Sequence, residues 1–240
     1  MYTIVNLFCL LLIVGIHEYG HFFFAKKFGL KVPQFSIGFG PKLISFFKDG
    51  TEFSVRAIPF GGYVSLPPEN EIKKLSAWKQ VMISAGGPMA NLLLCILVTV
   101  VLRGFSDVLN TVLIFLALVP LTMASLWSIA IHPIAGLKMI SGPIAIFSGN
   151  AIPNDWLVGL PMWRQALLTI YILSLVIGSF NLMPISILDG GRIFQTLLCP
   201  FFPRFVRVWH IATSFLLAGL VFYAIGGDII KILLKVVVDK

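Results

Sequence analysis

The chain has 240 residues, 58% of them hydrophobic and 12% charged, with a formal net charge of +8 and a mean hydropathy of +0.96. Soluble domains average roughly 25% charged residues, so this is the composition of an integral membrane protein. Nine of the eighteen basic residues fall between Lys26 and Lys79, between two apolar runs. That clustering marks a cytoplasmic loop facing anionic lipid head groups and excludes a nucleic-acid footprint.

The first apolar run extends from Ile4 to about Ala25 and is closed by Lys26-Lys27. It is expected to stay in the protein. No basic residue precedes it, as one would before a cleaved leader, and cleavage would discard or expose its histidines. Within it stands His17-Glu18-Tyr19-Gly20-His21. Ionisable groups at membrane depth are costly and functional by default. On a helix, positions i and i+4 share a face, so His17 and His21 can reach one ion, and Glu18 beside them can deprotonate a water. This is the HExxH pattern of zinc hydrolases. At about 1.5 Å per residue, His17 lies roughly 13 Å from Lys26 along the axis, inside the hydrocarbon but nearer the cytoplasmic face.

Residues 31 to 66 carry short apolar stretches broken by Gly38, Gly40, Pro41, Gly50, Gly61 and Gly62. Gln34–Phe39, Lys42–Phe47, Glu52–Pro59 and Tyr63–Leu66 are predicted as strands of hairpins. A polar linker, Pro67 to Glu71, leads to a second span over about Val81–Leu102. Val108–Ile131 is long enough to cross the membrane but contains Pro120, and a Gly/Pro-rich stretch with Ser141-Gly142-Pro143 follows. A further span covers about Ala166–Met183, then a broken turn around Asp189-Gly190-Gly191-Arg192 and a last run over about Val208–Ile225. Cys9, Cys95 and Cys199 show no zinc spacing and are expected to be packing residues.

A catalytic zinc usually has three protein ligands and one open position, so two histidines leave it one short. His132 precedes a proline and His210 opens the last span. Asp189 is the better candidate. It follows Pro184 and precedes Gly190-Gly191, which break helical structure near membrane depth. Irregular backbone is tolerated there only when buried in protein or lining a wet cavity.

With these residues in place, the chain resembles the site-2 protease family of intramembrane zinc metalloproteases, in particular its RseP-like members. Five motifs in family order carry the resemblance. They are His17–His21, Gly61-Gly62-Tyr63-Val64, Ala85-Gly86-Gly87-Pro88-Met89-Ala90-Asn91, Ser141-Gly142-Pro143, and Asn181-Leu182-Met183-Pro184 through Leu188-Asp189-Gly190-Gly191. The resemblance implies zinc held by His17, His21 and Asp189, with Glu18 as general base. It implies that Gly61, Gly62, Tyr63 and Val64 belong to a membrane-associated β-loop, residues 31–66, that presents unwound substrate as an added strand. Asn181 would bond substrate backbone near the metal, and Asn91 would line the site.

Two departures stand out. Ser186 occupies a place where the family pattern usually has a second proline. RseP-like members carry PDZ domains before the Ser-Gly-Pro motif, whereas only about forty mostly apolar residues fill that interval here. The segment 104–165 is therefore expected to be an extracytoplasmic or re-entrant replacement, and an accessory membrane partner is a candidate for screening substrates.

The expected fold is a polytopic α-helical membrane protein of about four core transmembrane helices, with a membrane-associated β-hairpin region and one extra apolar segment. His17, His21 and Asp189 must meet at one depth, so an odd number of crossings must separate their spans. Val108–Ile131 is then either bent or interfacial at Pro120, the favoured expectation, or followed by another crossing within residues 134–150. The expected function is cleavage of peptide bonds within transmembrane substrates of the cell (inner) membrane, in signalling by regulated intramembrane proteolysis. Polar Asn91, Asn181 and Ser186 could line a water path. The alternative is a metal transporter or channel. A transporter should show paired halves or charges spread through its spans, and this chain shows neither.

Overall fold

In lipid, every backbone N–H and C=O must find its partner within its own segment, and the apolar runs accordingly fold as long helices. A computed structural model describes the backbone of residues 2–131 and 159–238. In chain order the elements are α1 (Tyr2–Lys27), β1 (Gln34–Lys48), β2 (Thr51–Ser65), the short α2 (Glu69–Ile72) and α3 (Ala77–Arg103). After a 3-10 turn at Phe105–Asp107 come α4 (Val108–Ile131), α5 (Met162–Asn181), α6 (Asp189–Leu198) and α7 (Pro203–Val238). Five of the helices, α1, α3, α4, α5 and α7, are long and apolar enough to cross a membrane. The chain is a polytopic, multi-pass membrane protein. The Ser141-Gly142-Pro143 motif, His132 and the segment 134–150 lie outside the described residues.

Helix directions follow from a few contacts. Cys9 of α1 meets Ala166 of α5, and His17 meets Asp189 just beyond α5, so α1 and α5 run parallel. Helix α3 lies between them and runs the other way, with Ile83 at His21, Asn91 at His17 and Cys95 at Tyr171. Glycine sets the α1–α3 distance: a Cβ on Gly20 would stand 2.1 Å from Gly86 O, and one on Gly86 2.5 Å from Gly20 O. Small residues let membrane helices approach this closely, where packing and not hydrophobic exclusion holds them together.

Over Val108–Ile131, where a bent or interfacial element is expected, a single helix forms. Helix α4 is continuous through Pro120. It packs on α5 with Thr111 at Tyr171, Phe115 at Gly178 and Thr122 at Met183, so α4 and α5 are parallel. A proline is tolerated inside a membrane helix where neighbours satisfy the freed backbone. Pro120 has no N–H to offer Leu116 O, and two residues on Thr122 Oγ1 donates to Leu118 O at 2.7 Å and to Val119 O at 2.9 Å.

Helix α1 ends where Gly29, at φ +80°, lets its own N–H bond Lys26 O while Leu30 N–H bonds Ala25 O. This left-handed cap turns the chain back into the sheet. All four expected strand segments form, joined into two long bent strands. Residues 45–48 of β1 pair antiparallel with 51–54 of β2, and Gln34–Ile37 pair antiparallel with Gly62–Ser65. Gln34–Ile37 also run alongside Glu52–Val55. The sheet is pinned to α1 by Phe22, Phe35 and Phe53, whose ring centroids lie 5.5–5.8 Å apart.

Candidate active site

His17 and His21 sit one turn apart on α1, so local helix geometry alone aims both rings one way. Asp189, the first residue of α6, comes to the same point. His17 Nε2 and His21 Nε2 each lie 3.2 Å from Asp189 Oδ2 and 3.3 Å from one another. All three residues are buried, and they form the one candidate metal-binding group among the described residues.

Hydrogen bonding on the far sides of the rings decides what this triangle can do. His21 Nδ1–H donates to Ile83 C=O at 2.8 Å, which turns the Nε2 lone pair toward Asp189. That carbonyl belongs to the turn of α3 opened by Pro88, which has no N–H to offer Ser84 O. On His17, Nδ1 faces the Asn91 side-chain amide at 3.2 Å, and Asn91 Oδ1 is buried without a partner. A half-turn of the amide, which interchanges O and N, makes Oδ1 the acceptor for His17 Nδ1–H and frees that Nε2 as well.

Three acceptor atoms then face each other with no proton between them, an arrangement that a cation relieves. Tetrahedral zinc with bonds of about 2.0–2.1 Å has ligand–ligand edges of about 3.3–3.4 Å, close to the triangle seen. Room is kept by Gly87, where a Cβ would stand 2.4 Å from His21 Nε2 and 2.5 Å from His17 Nε2. The residues fit a zinc ion.

The loop carrying Asp189 is tightly built. A Cβ on Gly190 would meet Leu182 O at 2.1 Å, and one on Gly191 would meet Ile185 O at 2.0 Å. Ser186 fastens the loop to α7. Its N–H donates to Thr213 Oγ1 at 3.2 Å, and its hydroxyl meets His210 O at 3.2 Å and Ser214 Oγ at 2.8 Å.

Glu18, half-buried beside the triangle, touches the sheet. A Cβ on Gly62 would lie 3.0 Å from Glu18 Cγ and 2.9 Å from Ser36 O, so only glycine lets β2 come this close. Gly61 takes φ +75°, and Tyr63 receives a hydrogen bond from Arg56 at 2.9 Å. Asn181, at the end of α5, donates from Nδ2 to Ile177 O at 2.9 Å. The structure thus brings His17, His21, Asp189 and Asn91 together, with Glu18 and Gly62 alongside. Asn181 is engaged with its own helix.

Beside the site opens a chamber of about 990 Å³. Val64, Leu66, Ile83, Ser186, Ile187 and Arg192 are among the residues that line it, as are Lys73, Gln195 and His210. The sequence did not point to this chamber, to Ile83 C=O or to the fit of Gly87. The Gly86-Gly87 pair was the one available signal, and a backbone carbonyl leaves none.

The model of peptidase family M50 matches residues 5–223. A protein of Xylella fastidiosa, named as a candidate zinc metalloprotease, is 44% identical over 102 residues, 38% of this chain and 23% of that protein. One of Chlamydia trachomatis with the same description is 36% identical over 118 residues, 41% of this chain and 19% of its own length. A third, from Staphylococcus aureus, is 52% identical over 54 residues, 22% of this chain and 13% of its own. The matched stretches therefore span less than a quarter of each of these relatives. Because the family match covers most of the chain, from residue 5 to residue 223, with both histidines and the carboxylate that meets them inside those bounds, the chain belongs to peptidase family M50, the site-2 protease family.

Proposed function

We propose that this protein is an intramembrane zinc metalloprotease that hydrolyses peptide bonds within or near transmembrane helices of membrane-protein substrates, as in regulated intramembrane proteolysis. The observation that carries the reading is the triangle of Nε2, Nε2 and Oδ2 at 3.2–3.3 Å on buried side chains. His17, His21 and Asp189 would hold the zinc. When bound, the ion lowers the pKa of a water toward about 7 and polarises the scissile carbonyl.

The remaining steps belong to the protein. Glu18 takes the proton of the attacking water and returns it to the leaving amine. Ile83 C=O and the Asn91 amide keep the two imidazoles in their ligating orientation. A helical substrate hides its carbonyls in i to i−4 bonds and must unwind first. Residues Gly62–Ser65 pair with β1 on one side only among the described residues, so their outer edge can take an extended substrate as an added strand. Asn181 is proposed to turn its amide to substrate backbone. On this reading the basic end of the bundle faces the cytoplasm of a cell that carries the protein in its inner membrane, and a partner protein screens substrates.

The test is a Glu18→Gln variant purified in detergent. It should retain zinc yet lose cleavage of a model transmembrane substrate by about 10²–10⁴-fold. Undiminished cleavage would defeat the mechanism, and metal flux into vesicles that depends on His17 would favour transport instead.

A further inference from the structure

The chamber joins two features the proteolytic reading uses separately. Val64 and Leu66 line it, so it continues the line of β2 past the edge where substrate would be added. Ser186, Ile187 and Arg192 line it too, so it borders the loop that carries Asp189. Its lining combines apolar Val64, Leu66 and Ile187 with polar Gln80, Gln195 and Thr196, a mixture suited to a peptide main chain and its side chains.

The charges around it are uneven. Glu69 and Lys73 form an ion pair at 2.7 Å and cancel. Glu18 and Asp189 belong to the metal site. Arg192 lines the chamber, is exposed and takes part in none of the salt bridges among the described residues. A guanidinium offers five donors in a planar fork that matches a carboxylate. Resting on the proteolytic reading, we propose that this chamber holds the extended substrate segment leaving the site toward the basic end of the bundle. Arg192 recognises an acidic side chain on that segment.

The spacing is also set. Arg192 lies three residues beyond Asp189 on α6, which puts their Cβ atoms about 5–6 Å apart. An extended chain advances about 3.3 Å per residue. With the reach of the two side chains, the preferred acid falls about two to four residues from the scissile bond.

The experiment uses the full zinc-loaded chain in phosphatidylcholine nanodiscs. Substrates carry Glu, Gln or Lys at each of the first six positions on that flank. Wild type should favour Glu over Lys by about tenfold or more in kcat/KM at the preferred position. Arg192→Glu should reverse the order, and Gln195→Glu, a milder change in the same wall, should narrow it. An unchanged Glu/Lys ratio in both variants overturns the proposal while leaving the protease intact. The same substrates are bound to the Glu18→Gln chain and followed by fluorescence anisotropy. If wild type cleaves nothing, the proteolytic reading fails on its own; Glu-over-Lys binding that Arg192→Glu inverts would still uphold the chamber, and unranked binding would overturn it. A ratio that shifts only when anionic lipid is added would assign Arg192 to a head group and overturn the substrate role.

Discussion

The side-chain amide of Asn91 stands 3.2 Å from Nδ1 of His17, across the interface of two antiparallel helices and 74 residues apart in sequence. A ligating imidazole needs a partner on its other nitrogen, and such partners are typically worth 10–100-fold in metal affinity. Asn91→Leu should therefore weaken zinc binding by about 10–100-fold, measured by competition with a chelator. Asn91→Asp keeps an acceptor at the same place and should stay closer to wild type. Equal affinities for Leu and Asn would show that Asn91 serves only in packing.

Gly87 tests the metal site from the opposite side. Its Cβ would crowd both Nε2 atoms at 2.4 and 2.5 Å, closer than side chains tolerate. Gly87→Ala should lose stoichiometric zinc while circular dichroism still reports a helical protein. Full zinc content in that variant would mean that the triangle is not where the ion sits.

Gly62 should separate chemistry from metal binding. A Cβ there would press on Glu18 Cγ at 3.0 Å, with Ser36 O and Val14 as its other nearest neighbours. Gly62→Ala should keep its zinc and lose kcat by about 10²-fold or more, as a misplaced general base does. Zinc loss in step with kcat would contradict this division.

Ser186 ties the loop bearing Asp189 to α7, which offers little else to the bundle: Val206 is its one buried apolar residue among those described. Ser186→Pro removes the N–H that Thr213 accepts and the hydroxyl that Ser214 meets. Interhelical hydrogen bonds in membranes average about 0.6 kcal/mol and reach about 2. The variant should lose about 1–2 kcal/mol of stability and exchange amide hydrogens of α7 faster. Unaltered exchange in α7 would show that its anchorage lies elsewhere.

Removing the metal should loosen the same contacts. Three converging acceptors repel one another without a cation, so chelation should lower the unfolding temperature, and added zinc should restore it. Saturation at 100 times Kd corresponds to about 2.7 kcal/mol. A transition indifferent to zinc would argue against binding at this site.

Much of this was legible in the chain because it is local. Apolar length and the Lys26-Lys27 stop define α1, and the spacing of His17 and His21 puts two imidazoles on one face of it. Gly61-Gly62 and Gly190-Gly191 mark tight places, although the sequence does not say what presses on them. Pro120 favours a bend when read from the sequence, and nothing local announces that α4 packs lengthwise along α5. What the sequence alone determined is a histidine pair in an apolar helix with a glutamate beside it, since helical periodicity and hydropathy are properties of neighbouring residues. Only the tertiary structure decided that Asp189, 172 residues after His17, completes the triangle, and that Ile83 C=O and Asn91 orient the rings. It likewise decided that Gly87 leaves the space and Arg192 faces a chamber, because such contacts depend on how closely and in which direction helices pack, and that is set by many small residues acting together.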